Sequence, residues 1–411
     1  MTQLSLPLIS TKREKRSASP SSWDLLSGRA GLESDAGIPV SPHLAENLSA
    51  VFGAVQIIAE TVATLPFCVY RREREGVRQV DPSHPVARLL GREPNELQTP
   101  VEFIEMMTAH CLLRGNAYAE IVRDARGAPI ELIPLHPDMV SVLVIPNSRR
   151  VVYDVTDWAN GSTRRLLKEE VLHIRDRSDD GIVGKSRLAR ARETFGTALA
   201  TERFAASTYK NGASLSGVLS HPDEIGEEAS KNLRESFERM HSGSDKAGKI
   251  AVLEEGMRWQ STSVSPEDAQ MLESRKFGVE QVSRLFRVPV PLLADLSGGN
   301  YSSLVELSRW FAGGTIRPWL NRWERAIERA LFSEQGRRTH EVEADMGELL
   351  RGDALQRFQS YRIGREIGVY SANELRALEH LNPRDDDDAN SYLSPLNMAS
   401  EQAGGPPQRD G

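Results

Sequence analysis

The stretch DDGIVGKS, residues 179–186, ends in the Gly-Lys-Ser that closes a phosphate-binding loop, and a helix-like run follows it at once. Such a loop needs a first glycine five residues before the second, because the backbone must curl there and turn its amides toward the phosphates. Position 179 is Asp instead. Its carboxylate would repel a β-phosphate, and the preceding HIRDRSDD is charged where an apolar strand is required. The same residues suit a structural job. Gly181 and Gly184 make a tight turn, and Ser186 stands where a hydroxyl caps the free amides of a starting helix.

Other reactive patterns lack their companions. Ser207 and Lys210 match a Ser-x-x-Lys pair, a pattern with two free positions and none of its partner motifs. No Gly-x-Ser-x-Gly elbow and no Gly-x-Gly-x-x-Gly fingerprint occurs, and the nine histidines are never closer in sequence than His221 and His241. Local metal-ligand spacing is therefore missing. Asp385 to Asp388 form an acidic run beside Gly- and Pro-containing sequence, which reads as a solvated tail before it reads as a cation site. No catalytic residue, no metal and no cofactor is expected.

Composition sets the frame for these residues. With 411 residues, 39% of them hydrophobic and 27% charged, the chain is long enough for two or three domains with a sizeable core. Apolar runs such as Val140 to Ile145 are far shorter than the roughly 20 residues that span a bilayer. No membrane association is expected. At the N-terminus, apolar Leu4 to Ile9 precede the basic cluster Lys12, Arg13, Lys15 and Arg16, the reverse of a secretory signal. Cys68 and Cys111, the two cysteines, lie in apolar surroundings and read as buried thiols of a reducing compartment. The formal charge of -7, with basic residues scattered along the chain, argues against a protein that grips a phosphate backbone.

The elements that must position these residues follow from periodicity and punctuation. Residues 1–43 and 383–411 lack sustained periodicity and read as flexible tails, the second acidic. Leu48 to Val62 has helical spacing, FCVYRR reads as a strand, and Thr99-Pro100-Val101-Glu102 is a capping box opening a helix to about Leu113. A meander of short strands follows: AYAEIVR, IELIPL, MVSVLVI, VVYDV and VLHIR. From Gly184 to Asn211 one long helix is predicted, its apolar face interrupted at Glu202. A small strand–helix–hairpin insert comes next. Ser265-Pro266-Glu267-Asp268 then caps a second long helix that ends before Val288-Pro289. PVPLLADLSGGNYSS is loop-like, and a third long helix follows it. Gly313-Gly314 and Pro318 interrupt that helix, and a proline four residues after Gly314 displaces its carbonyl and predicts a kink. Asp353 to Glu366 reads as a helix ended by Gly368, and Ser371 with Glu374 caps a last short one.

Two long helices around a compact insert, then a glycine-rich loop leading into a kinked helix, form an order that resembles the portal proteins of tailed bacteriophages, in particular the HK97 family. The resemblance covers about residues 44–382. It is carried by HPVARLLGREPNELQTPVEF, LLRGNAYAEIVRD with PIELIPLHPDMV, the DGIVGKSRL turn, FRVPVPLLADLSGGNYSSL and IRPWLNRWERAIERAL, taken in order.

The resemblance implies an α+β portal fold with long stem helices, a β-rich wing, a small αβ clip and a helical crown. By position, 44–183 would be the first part of the wing, 184–212 and 265–287 the stem helices, and 213–264 the clip. Residues 288–301 would be the tunnel-loop region, 302–344 the kinked helix completing the wing, and 345–382 the crown. The loop Leu296, Ser297, Gly298, Gly299, Asn300, Tyr301 and Ser302 would face DNA, and the clip hairpin Glu254, Glu255 and Gly256 would contact terminase or an adaptor. Implied partners are further copies of the chain in a ring, usually of twelve, double-stranded DNA in transit, the large terminase, the major capsid protein and a head–tail adaptor. The implied location is one vertex of the virion capsid, after assembly in the host cytoplasm. Trp310, Trp319 and Trp323, at helical spacing, are expected to bury area in the core or between subunits. A different capsid-associated adaptor ring, or a nucleotide-dependent packaging enzyme using GKS, are the alternatives.

Overall fold

Thr99 and Glu102 close the expected capping box reciprocally: the Glu102 amide donates to Thr99 Oγ1 and the Thr99 amide to Glu102 Oε2. The computed structural model describes residues 32–393 except 74–76, 147, 158–159, 211–216, most of 221–257, 262–266, 294–300, 351–353, 380 and 387. The chain divides into two units at Asp345/Met346.

The first unit begins with β1 (Leu32–Glu33) and β2 (Pro39–Val40), then α1 (Pro42–Ala45), α2 (Ser49–Thr64), β3 (Phe67–Arg72), β4 (Arg78–Val80), α3 (Pro85–Gly91) and α4 (Pro100–Arg114). Strands β5 (Asn116–Arg123), β6 (Pro129–Leu135), β7 (Val140–Val144), β8 (Val151–Thr156), β9 (Thr163–Leu167) and β10 (Val171–Arg175) follow. Helices α5 (Arg187–Arg190) and α6 (Arg192–Lys210), strands β11 (Gly217–Ser220) and β12 (Arg258–Ser261), and helix α7 (Glu267–Phe286) come next. The unit closes with α8 (Tyr301–Phe311), α9 (Arg317–Leu331), α10 (Gly336–Thr339) and β13 (His340–Ala344).

Its core forms where α2 lies on α4. Val51, Ala54, Val55, Ile58, Ala59, Val62 and Ala63 recur at helical spacing and are all buried. They meet Phe103, Ile104, Met107 and Cys111 of α4, which ends at Gly115 in the left-handed conformation that suits glycine. Helix α9 closes the other side against β10 and β13. Its Trp319 and Trp323 are buried, and Trp323 Nε1 donates to Thr108 Oγ1 of α4 at 3.1 Å. Trp310 is half exposed in the single chain and lies against Gly314.

The strands do not run as one meander. They form two three-stranded antiparallel sheets, β10-β5-β6 and β7-β8-β9, with β10 returning to pair with β5. Strand β9, TRRLL, has too few apolar positions to show alternation; it is held by pairing with β8, and Arg165 bonds Asp154 across the pair. In a further sheet, β13-β3-β4, FCVYRR pairs with a strand from far along the chain, Cys68 facing Glu343. Helix α9 completes that edge, for Glu328 and Glu324 accept the amides of Val342 and Ala344 at 3.2 and 3.1 Å.

Two predicted features take a different form. The single helix from Gly184 to Asn211 is broken at Ala191 (φ -116°, ψ 33°), which separates α5 from α6. Glu202, the polar gap read in the apolar face, pairs through its carboxylate with Arg275 of α7 at 3.0 Å and so makes an interhelical contact. The kink before Pro318 is a π-helical turn, Ala312–Ile316, which absorbs the lost hydrogen bond by widening the helix.

The last part of the expected N-terminal tail is folded. Residues 32–45 form the β1–β2 hairpin and α1 and pack on α6, where Ser34 fills the space that a side chain at Gly196 would need. The Asp35 amide donates to Glu193 Oε2 at 2.8 Å.

The second unit contains α11 (Gly347–Leu350), α12 (Ala354–Glu366) and α13 (Ala372–Leu378). Gly368 is left-handed, and Ser371 with Glu374 forms the capping box read from sequence. Residues 384–393, expected as part of the acidic tail, fold back here: the Arg384 amide donates to Asn373 Oδ1 at 2.7 Å and Arg365 to the Ser391 carbonyl, with Ala389 buried. Among the described residues no helix is long and apolar enough to cross a membrane.

Candidate functional site at the root of the long helices

The DGIVGKS turn consumes its own amides. Ile182 and Val183 donate to Asp180 Oδ1 at 2.7 and 2.9 Å, Gly181 to Ser178 Oγ at 2.8 Å, and Gly184 to Asn116 Oδ1 at 2.7 Å. The Lys185 amide donates to the Arg177 carbonyl at 3.1 Å. A phosphate would need these donors, and a carboxylate already holds two of them; those bonds lower the Asp180 pKa to about 2. Lys185 lies outside, 3.9 Å from Asp179 and half exposed. Ser186 caps as expected, accepting from Leu188 and Ala189 while donating to the Leu113 carbonyl at 2.6 Å.

The turn's purpose is seen in what it touches. Gly184 and Gly115 meet backbone to backbone, and a methyl group on either would overlap the other segment's main chain. Asn116 locks the contact, accepting the Gly184 amide and donating Nδ2 to the Gly184 carbonyl at 2.7 Å. With Asn116 Oδ1 thereby fixed as an acceptor, His173 must donate Nε2–H to it (3.0 Å), leaving Nδ1 to accept from Tyr153 Oη at 3.1 Å. Burial, and then the Arg175 charge, lower the His173 pKa to about 3, so the ring is neutral.

Just beyond β10, Asp176 gathers four elements. Its carboxylate is almost wholly buried, paired with Arg187 of α5 at 2.8 Å and Arg322 of α9 at 2.9 Å. Burial works to raise its pKa, but the two guanidinium groups and the Arg177 amide outweigh it and hold the carboxyl below its usual range. Arg187 also donates to the Leu285 carbonyl in the last turn of α7 at 3.1 Å. Its guanidinium lies 5.6 Å from the Phe286 ring and 5.4 Å from the Trp319 ring, and Arg322 lies 4.8 Å from the same indole. The roots of both long helices are thus tied to the sheet region through one buried carboxylate.

Leu296 to Asn300 and Glu254 to Gly256 lie outside the described residues. Tyr301 and Ser302, read as loop, begin α8. Cys111 is buried beside the cluster and Cys68 is half-buried, both as free thiols. The histidines, far apart in sequence, form two pairs in space, His84 with His340 (ring centroids 4.9 Å apart) and His110 with His136 (5.3 Å). Among the described residues no group of three or more His, Cys, Asp or Glu is arranged to hold a metal. Asp176, Arg187 and Arg322 carried no sequence signal beyond charge beside an apolar strand and helix, because their meeting is wholly tertiary.

Comparison with known proteins fits this architecture. The model of the phage portal protein family matches residues 49–380. The probable portal protein of Streptomyces phage phiC31 is 32% identical over 377 residues, covering 90% of this chain and 82% of the relative. The portal protein of Enterobacteria phage HK97 is 31% identical over 343 residues, covering 82% and 79%. A chain in the neck of an empty gene transfer agent particle superposes with TM-score 0.57 at 27% identity, over 81% of this chain and 90% of that one. The crystal structure of an HK97-family portal protein from Corynebacterium diphtheriae shares the fold, with TM-score 0.57 at 17% identity over 78% and 98%. The α+β fold read from sequence is the portal fold, and this chain belongs to the phage portal protein family.

Proposed function

We propose that copies of this chain close into a ring, of twelve subunits, at one capsid vertex, forming the channel through which double-stranded DNA enters on packaging and leaves on ejection. The observation that carries this reading is the likeness, over 81% of the chain, to a chain in the neck of an empty gene transfer agent particle. The chain acts as a passive conduit, and a separate large terminase supplies the ATP-driven step. In support, the one phosphate-loop-like turn has its amides occupied by Asp180, Ser178 and Asn116. A formal charge of -7 suits a bore that must not retain a polyanion, since cationic contacts bind DNA through counterion release and would stall it.

In this reading the sheets of 44–183 with 302–344 form the wing, 184–212 and 265–287 the stem, 213–264 the clip and 345–382 the crown. Leu296 to Ser302 face the DNA, and Glu254, Glu255 and Gly256 meet terminase before the head–tail adaptor replaces it. The wing contacts the major capsid protein. Capsids assembled without this chain are expected to take up no DNA when terminase and ATP are added, and capsids assembled with it to package. Uptake by capsids lacking it would refute the role.

A further inference from the structure

We infer that Asp176 is the positioning residue of the two long helices: it sets their angle to the sheet region through Arg187, while the two helices hold each other independently of it. This rests on the fold and not on the proposed role in DNA passage.

Three observations combine. First, the tie is economical in residues: one carboxylate joins Arg187, whose guanidinium also holds the Leu285 carbonyl, so the roots of α5–α6 and of α7 share one anchor. Second, the helices also touch each other directly, with Phe195 against Phe286 (ring centroids 6.4 Å apart) beside the anchor and Glu202 paired with Arg275 at 3.0 Å farther along. Third, the backbone contact beside the anchor is made by two glycines, Gly115 and Gly184, and is held by side-chain hydrogen bonds from Asn116 and Ser186. Asn116 and Ser186 pin the turn at that one point, and the charged tie supplies the second point that fixes an angle. Breaking a buried pair leaves an uncompensated charge, which drives the partners apart instead of letting them settle in place. Removing the Asp176 charge therefore frees the helix pair to tilt as a unit, whereas shortening the reach of Arg187 uncouples α7 alone.

Spin-label distances in the full-length protein separate these motions. Single cysteines at Val101 in α4, Thr197 in α6 and Ser274 in α7 give three label pairs, with labelled copies diluted into unlabelled protein to remove distances between chains. Buried Cys111 is left in place, and Cys68 is replaced by Ser if it reacts. For Asp176→Asn the Val101–Ser274 and Val101–Thr197 distributions are expected to broaden roughly twofold while Thr197–Ser274 stays narrow. For Arg187→Lys, which keeps a charge for Asp176 but does not span to Leu285 as well, Val101–Ser274 and Thr197–Ser274 broaden and Val101–Thr197 holds. Asp176→Glu restores part of the narrow distribution. Unchanged widths in both variants, or equal broadening of all three pairs in Asp176→Asn, would overturn the assignment. If Asp176→Asn does not fold, the Arg187→Lys pattern alone decides, since uniform broadening or none contradicts it.

Discussion

His173 and Asn116 are joined by a 3.0 Å hydrogen bond in which the imidazole Nε2–H donates to the amide oxygen that also receives the Gly184 amide. A side chain of β10 thereby orients the residue that locks the helix-bearing turn onto α4. Burial keeps the ring neutral, and its Nδ1 then accepts from Tyr153.

Acid should therefore weaken the fold. His173 and His110 both have folded pKa values lowered to about 3, chiefly by burial. In the unfolded chain histidine titrates near ~6.5, so below that pH the unfolded state binds protons that the folded state refuses. The contribution is fully present above pH ~6.5 and is lost as pH falls toward 3, at about 1.4 kcal/mol per unit for each histidine. Thermal melts at pH 7.5 and 5.0 should show a clear drop in Tm, and His173→Gln should reduce that drop. Equal Tm values at the two pH values would contradict the neutral, buried assignment.

The Gly-Lys-Ser stretch should respond through its glycine and not its lysine. Gly184→Ala places a methyl group in the main chain of Gly115 and is expected to cost about 3 kcal/mol or more, through backbone displacement. Lys185→Ala, at an exposed position, should stay within about 0.5 kcal/mol of the parent. Urea unfolding of the two variants checks this, and the reverse ranking would contradict the close backbone contact between Gly184 and Gly115.

Trp323→Phe keeps most of the buried ring but leaves the Thr108 hydroxyl without the 3.1 Å hydrogen bond it accepts from the indole. Loss of a buried partner costs about 1–3 kcal/mol. Adding Thr108→Val should recover part of that loss, measurable as a double-mutant cycle by denaturant unfolding. Strict additivity of the two changes would mean the bond does not couple α4 to α9.

Local features were the legible ones. Two of the three capping boxes, those at Thr99 and Ser371, the left-handed Gly368 and the apolar stripe of α2 follow from spacing of a few residues, and the structure has them as read, while Ser265 and Pro266 of the third lie outside the described residues. The break at Ala191 was not legible, because alanine favours a helix and the short helix before it is held by tertiary contacts, Arg187 to Asp176 and Leu285, Ser186 to Leu113 and Arg190 to Arg177. Strand β13 was missed for a similar reason: HEVEA carries little apolar signal, and its amides are satisfied by Glu324 and Glu328 of α9. Residues 32–40 lacked periodicity, yet the side-chain-free surface at Gly196 gives their hairpin a seat. The family resemblance was carried by the order of many segments, while the cluster around Asp176 depended on contacts between residues as far apart as 176 and 322.

Imaging of the purified full-length protein by electron microscopy tests the central claim most directly. Class averages viewed end-on should show closed annuli with a central opening and twelvefold symmetry, and side views a narrower stem below a broad wing. Particles that remain single 45.6 kDa polypeptides at high concentration, or that associate without a central opening, would contradict it.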